Sequence, residues 1–258
     1  MRRYVTTRWG QVHVREDGAG PAVLLFHESP LSSAVYEGVL GHLASGVRAV
    51  AFDTPGYGMS DPPPQECEIP DYAATLLEAA DALGIDRFAA VGVHTGASLA
   101  LQVGLQAGPD RVTHLVFSGL PVLAPDARAE YLRSWSPAMS VDDEGGHLRW
   151  AWERYRRIWG GPAALVSFGA TQLLANLERY HWAYNAAFRY DPEPDLARVS
   201  CPVLFLTPEH DLLIASDRQA VTQIPGARLE VVPELRGQLP LRAPEVFARQ
   251  VLGFVAGG

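Results

Sequence analysis

The stretch Gly92-Val93-His94-Thr95-Gly96 sets the chemical question in this chain. An apolar run, Phe88 to Val91, leads into it, and a helix-forming run, Ala97 to Gln106, leaves it. Strand, sharp turn and helix, with glycines around one central residue, is the context of a nucleophile elbow, where the G-x-S-x-G pattern places serine. Here the central residue is His94. A serine nucleophile also needs a base to take its proton. Ser98 and Thr95 lie nearby, but from those positions they point into the helix or along its first turn. Acyl-enzyme chemistry through a serine is therefore not expected. The imidazole has uses of its own. The central residue of such a turn takes φ > 0, a region that Asn, Asp and His accept most readily among non-glycine residues. At the start of a helix the dipole disfavours the charged ring. A neutral imidazole near pH 7 serves as a general base or a hydrogen-bond donor.

Around this turn the chain alternates strands and helices. Tyr4 to Arg8 and Gln11 to Arg15 read as a hairpin about Trp9-Gly10. Ala22 to Phe26, Val47 to Phe52, Thr113 to Phe117, Pro202 to Leu206 and Arg228 to Val232 read as further strands. Helices are expected at Ala34 to Ala44 with Ser33 as cap, from Asp71 to Leu83, near Ser216 to Gln223, and from Pro244 to Phe254. Such alternation implies a mainly parallel sheet covered on both faces. The stretch from Leu120 to Asp195 breaks the rhythm. It reads as short helices joined by turns such as Gly145-Gly146 and Gly160-Gly161, and it holds five of the six tryptophans. Its aromatic residues either glue this insertion to the main domain or line an apolar pocket between insertion and sheet.

The 258 residues fit one large α/β domain with an insertion, and an apolar share of 48% supports a sizeable core. The formal charge of −8 gives no basic footprint, so a nucleic-acid partner is not expected. The basic start lacks an apolar h-region, and no run approaches the roughly 20 apolar residues of a spanning helix. Cys67 and Cys201 have no motif spacing, so a cytoplasmic setting without membrane contact is expected. Gly92 to Gly96 is not G-x-G-x-x-G, no Walker pattern occurs, and His147, His181 and His210 have no ligand spacing. No metal and no cofactor are expected.

Taken in order, His27-Glu28-Ser29-Pro30, then Asp53-Thr54-Pro55-Gly56-Tyr57-Gly58-Met59-Ser60, then the elbow, resemble the α/β-hydrolase superfamily. Glu209-His210-Asp211 looks like the acid loop of that family, and Pro244-Glu245 like the start of its last helix. The resemblance covers nearly the whole chain. It implies an α/β-hydrolase fold, with a mainly parallel eight-stranded sheet flanked by helices and a helical cap after the sixth strand. The core would be 1–119 and 196–258, and the cap 120–195. The chain is also similar to a subgroup whose elbow reads His-Thr-Gly.

The resemblance transfers the family's catalytic set only in part. It puts the acid at Asp211 and the oxyanion hole at the backbone N–H groups of Ser29 and Thr95. The usual catalytic histidine maps onto Gly237 or Gln238, and neither can act as a base. Glu28 replaces the small glycine that normally follows His27. It lies close to the elbow in this fold, where a raised pKa would make it an acid or base. Alternatively it faces solvent or pairs with an arginine of the cap. Asp211 either orients His94, across a rearranged site or a bridging water, or caps the helix after Leu213. His27 and Asp53 read as structural. The candidate substrate pocket is Trp135, Trp159, His181, Trp182 and Gln238. The leading expectation is a cofactor-independent enzyme acting on a small to medium, largely apolar organic metabolite, such as a polyketide or aromatic compound. It would work by His94 proton transfer, as a lyase, isomerase or cyclase. The alternatives are a hydrolase in which His94 activates water, and an inactive ligand-binding homologue. The oligomeric state is not legible.

Overall fold

The computed structural model describes residues 1–257. Eight strands form one sheet in the order β1-β2-β4-β3-β5-β6-β7-β8. They are β1 (Arg2–Thr7), β2 (Gly10–Asp17), β3 (Ala22–Phe26), β4 (Arg48–Phe52), β5 (Phe88–Val93), β6 (Val112–Ser118), β7 (Val203–His210) and β8 (Arg228–Arg236). β2 pairs antiparallel with β1 and β4, and every other pairing is parallel. Parallel strands buried on both faces carry apolar residues at every position. β3 does so: Leu24 and Phe26 enter one core layer, and Val23 and Leu25 the other.

Eleven α-helices are described. They are α1 (Glu37–Leu43), α2 (Ile69–Ala82), α3 (Thr95–Ala107), α4 (Pro125–Ser134), α5 (Gly146–Ile158), α6 (Ala163–Leu174), α7 (Trp182–Arg189), α8 (Glu193–Leu196), α9 (Ile214–Ala220), α10 (Leu239–Arg242) and α11 (Pro244–Ala256). α2 and α3 pack in the layer with Leu24 and Phe26, and α1 and α11 in the layer with Val23 and Leu25. Helices α4 to α8 all fall between β6 and β7. No helix is long and apolar enough to cross a membrane.

The caps differ from the expectation by a few residues. Ser32 rather than Ser33 accepts the Ala34 N–H, at 3.3 Å, and the segment opens as a 3₁₀ turn before α1. α2 starts one turn early because Glu68 and Asp71 form a reciprocal capping box, which makes Asp71 the third helical residue.

Candidate active site

His94 sits between β5 and α3 with φ 48° and ψ −112°. The tight strand-to-helix turn depends on the glycines beside it. A Cβ on Gly92 would lie 1.9 Å from the Gly96 carbonyl oxygen, and one on Gly96 would lie 2.0 Å from that of Phe26. The His94 N–H donates to Ser118 C=O at 2.8 Å, tying the turn to the end of β6.

Both ring nitrogens face carboxylates. His94 Nδ1 is 3.0 Å from Glu28 Oε2, and Nε2 is 3.0 Å from both oxygens of Asp211. Asp211 also accepts the Leu213 N–H at 2.8 Å, so it caps that turn and holds the ring at once. Of the two routes expected from sequence, a direct contact through a rearranged site or a bridging water, the geometry is the direct one. Two residues without side chains make room for it. A Cβ on Gly119, which has φ +74°, would stand 2.3 Å from His94 Cδ2, and a Cβ on Gly237 would stand 2.9 Å from Asp211 Oδ2.

This environment also overturns the expected neutral imidazole. Burial by itself lowers the His94 pKa. Asp211 and Glu28 outweigh it and hold the ring well above the usual histidine range, which favours the imidazolium. Asp211 shows the mirror image. Burial alone would raise its carboxyl, but His94 and the Leu213 N–H bring it below the usual range. The dipole of α3 is a fraction of a charge, and two full carboxylates 3.0 Å away exceed it.

The loop behind Glu28 is fixed by His27. Its Nδ1–H donates to Glu28 C=O at 2.9 Å, and its Nε2 accepts the Thr54 N–H at 3.0 Å, which assigns the neutral tautomer. Burial lowers its pKa. Asp53 accepts the Ser33 and Met59 N–H groups at 2.6 and 2.9 Å, so it anchors two loops. Among the described residues no group of three His, Cys, Asp or Glu side chains is placed to hold a metal ion.

The imidazole forms part of the wall of two cavities. One is lined by His94, Thr95, Trp135, Tyr184, Phe188, Leu213 and neighbouring residues. The other lies towards Asp211, Arg236, Gly237 and Gln238. The Ser29 and Thr95 residues that flank the turn are 4% exposed each, and Thr95 opens α3, so its N–H has no helical acceptor behind it.

A family profile described as the alpha/beta hydrolase fold matches residues 21–157, half of the chain. The chain belongs to the α/β-hydrolase family. Among curated α/β-hydrolase relatives, 2-(acetamidomethylene)succinate hydrolase of Mesorhizobium japonicum is 32% identical over 95% of this chain and 91% of its own. Haloalkane dehalogenase 2 of Mycobacterium tuberculosis is 30% identical over 54% of this chain, and the match spans about half, 48%, of that protein. A hydrolase from Pseudomonas aeruginosa PA01 superposes with a TM-score of 0.83 over 98% of both chains at 22% identity, which speaks for the fold.

In this α/β-hydrolase the expected pocket set divides. Trp135 is in the wall of the first cavity, and Gln238 in that of the second. Trp159, His181 and Trp182 are in neither wall. Trp159 is 4% exposed and packs on Tyr155 with ring centroids 4.6 Å apart. Its indole N–H meets the Gln238 amide oxygen at 2.8 Å in the amide orientation that satisfies both groups. Trp182 misses the cavity through helical phase, and His181 stands before the first turn of α7 as its N-cap. Tyr184, Ala187 and Phe188 of α7 face it, and Trp182 is turned about 200° from Tyr184 at 3.6 residues per turn. Tyr131, Tyr184 and Phe188 complete the aromatic wall. The i, i+3, i+4 spacing of 184, 187 and 188 is the sequence signal that could have found the last of these.

Proposed function

We propose that this α/β-hydrolase is a cofactor-independent hydrolase of a small, largely apolar metabolite, working through Glu28, His94 and Asp211 rather than an acyl-serine. It would stand in a divergent subgroup marked by histidine at the elbow. The observation that carries the reading is the imidazole held at 3.0 Å by a carboxylate on each nitrogen, in a cavity wall. The relative matched over nearly its whole length carries a hydrolase name, which favours hydrolysis over the lyase, isomerase or cyclase classes.

Proton exchange across the Nδ1–Glu28 contact interconverts an imidazolium–carboxylate pair and an imidazole–carboxylic acid pair. The net charge does not change. The second form offers a base and an acid side by side. Neutral His94 takes a proton from water as the water oxygen adds to the electrophilic carbon. The oxyanion gathers at the Ser29 and Thr95 N–H groups. Glu28 then gives its proton to the leaving group, which restores the starting imidazolium and carboxylate. Asp211 orients the ring throughout. The segment 120–195 acts as a lid that supplies the apolar wall, including Trp135.

The test is turnover of a panel of small esters and lactones in ¹⁸O-labelled water. One solvent oxygen should enter the acid product, and Glu28→Gln should reduce turnover by about 10²–10⁴-fold, the usual contribution of general acid–base catalysis. Unlabelled product, or wild-type turnover in Glu28→Gln, overturns the mechanism. Tight binding of an unchanged compound whose affinity survives His94→Ala would favour the ligand-binding reading.

A further inference from the structure

Arg154 on α5 is 5% exposed, and its Nη1 donates to Trp135 C=O at 2.8 Å. Its Nε and Nη2 find no acceptor among the described residues. These two atoms share one edge of the guanidinium, the edge that meets a carboxylate with two parallel N–H donors. The half-buried Arg48 of this acidic chain is paired with Glu16. Leaving a buried cation without an anion is costly. Three aromatic rings surround it, with the guanidinium carbon 5.2 Å from Trp135, 5.7 Å from Trp150 and 5.9 Å from Tyr184. Rings answer the flat face of a guanidinium, whereas its N–H donors lie in the plane. With no acceptor for Nε or Nη2 among the described residues, this edge is left for another partner.

The location says which. Trp135 and Tyr184 belong to the cavity wall that also holds His94, and Arg154 stands behind these two rings rather than in the wall itself. Trp135 Nε1 is a further buried donor without an acceptor. We propose that the Nε/Nη2 edge of Arg154, with Trp135 Nε1, receives a carboxylate of the ligand that occupies the His94 cavity. The substrate class is then a carboxylic acid with an apolar body, held by its acid end beneath the cap while its reacting group lies at His94. This names the substrate class of the proposed hydrolase and rests on that reading for the word substrate. The binding claim stands without it.

The experiment measures binding of 4-phenylbutyrate and its uncharged amide, 4-phenylbutyramide, by calorimetry. The wild-type chain should prefer the acid by at least about tenfold, the scale of one charge-assisted bidentate contact. Arg154→Met should reduce the preference below about twofold, and Arg154→Lys, which keeps charge but loses the fork, should lose most of it. Melting curves run alongside. If Arg154→Met does not fold, Arg154→Lys decides. Equal affinity for acid and amide in the wild type, no binding of the acid, or a full preference in either folded variant overturns the proposal. Glu28→Gln separates the two readings. It should keep the preference whether or not turnover is lost, so failed catalysis with intact carboxylate preference rejects only the mechanism.

Discussion

Replacing His94 with alanine removes the one cation between two buried carboxylates, and the cost should depend on pH. Breaking a buried ion pair from one side costs about 3–5 kcal/mol. The His94 side chain keeps 17% exposure, against 1% for Asp211 and 9% for Glu28. Solvent screening therefore favours the lower end, about 3 kcal/mol. For a chain of this size each kcal/mol moves the melting temperature by roughly 2–4 °C, so the fall should be about 6–12 °C. The sign follows from linkage. His94 has a raised folded pKa, so its contribution is full below its unfolded value of 6.5 and is lost as pH rises through the folded value. Asp211 is depressed, so its contribution is present above 3.8 and is lost on acidification. The window in which both are complete is about pH 4 to 6.5. Thermal melts of wild type and His94→Ala at pH 6 and pH 3 isolate the charge effect, because the loss of packing is common to both. The gap should shrink at pH 3, where protonated carboxyls no longer need the cation. A gap that is equal at both values refutes the ion-pair reasoning.

Gly119→Ala forces a Cβ to within 2.3 Å of His94 Cδ2 at a residue with φ +74°. Overpacking of this kind costs about 1–3 kcal/mol, and it should lower the melting temperature by several degrees and turnover to the level of His94→Ala; an unchanged melt with wild-type turnover would show that the ring does not need this space. A serine-directed fluorophosphonate should leave the wild-type protein unlabelled in intact-mass spectra, and stoichiometric labelling of any serine contradicts the proposed mechanism. His94→Ser should turn over as slowly as His94→Ala, since the serine it introduces finds no imidazole beside Asp211.

The residues of the proposed site are visible in the sequence as departures from a pattern: histidine at the elbow, glutamate after His27, glycine where a histidine is usual. The sheet was visible through its apolar runs, and Ala22 to Phe26 coincides with β3 residue for residue. What joins the three ionisable groups was not visible. The Asp211 contact depends on Gly119, at the far end of β6, and a missing side chain leaves no signature of the space it opens. The protonation state was misread for a related reason. The dipole of α3 can be inferred from the elbow alone, but the opposing carboxylates arrive from the ends of β3 and β7, far apart in sequence. In the cap, composition identified an aromatic wall but not its members. Trp159 and Trp182 have the same chemistry as Trp135, and only the phase and packing of their helices separate them from it.

The two departures at 94 and 237 are then one change. A single imidazole can occupy the face of Asp211. A Cβ at Gly237 would lie 2.9 Å from Asp211 Oδ2, so a histidine at that position would need the carboxylate to shift and would compete with His94 for it. Removing the His94 ring vacates the space in which a side chain from position 237 could turn towards Asp211. The pair of substitutions His94→Ser and Gly237→His should therefore do what neither does alone. It places a hydroxyl at the elbow and an imidazole beside the acid, and leaves untouched the Ser29 and Thr95 N–H groups proposed to receive an oxyanion. The double variant should label with fluorophosphonate, whereas His94→Ser and Gly237→His singly should not: the first lacks a base and the second a nucleophile. Labelling of His94→Ser alone would mean that another base reaches the elbow. A folded double variant that stays unlabelled would mean that the two positions are not exchangeable around Asp211.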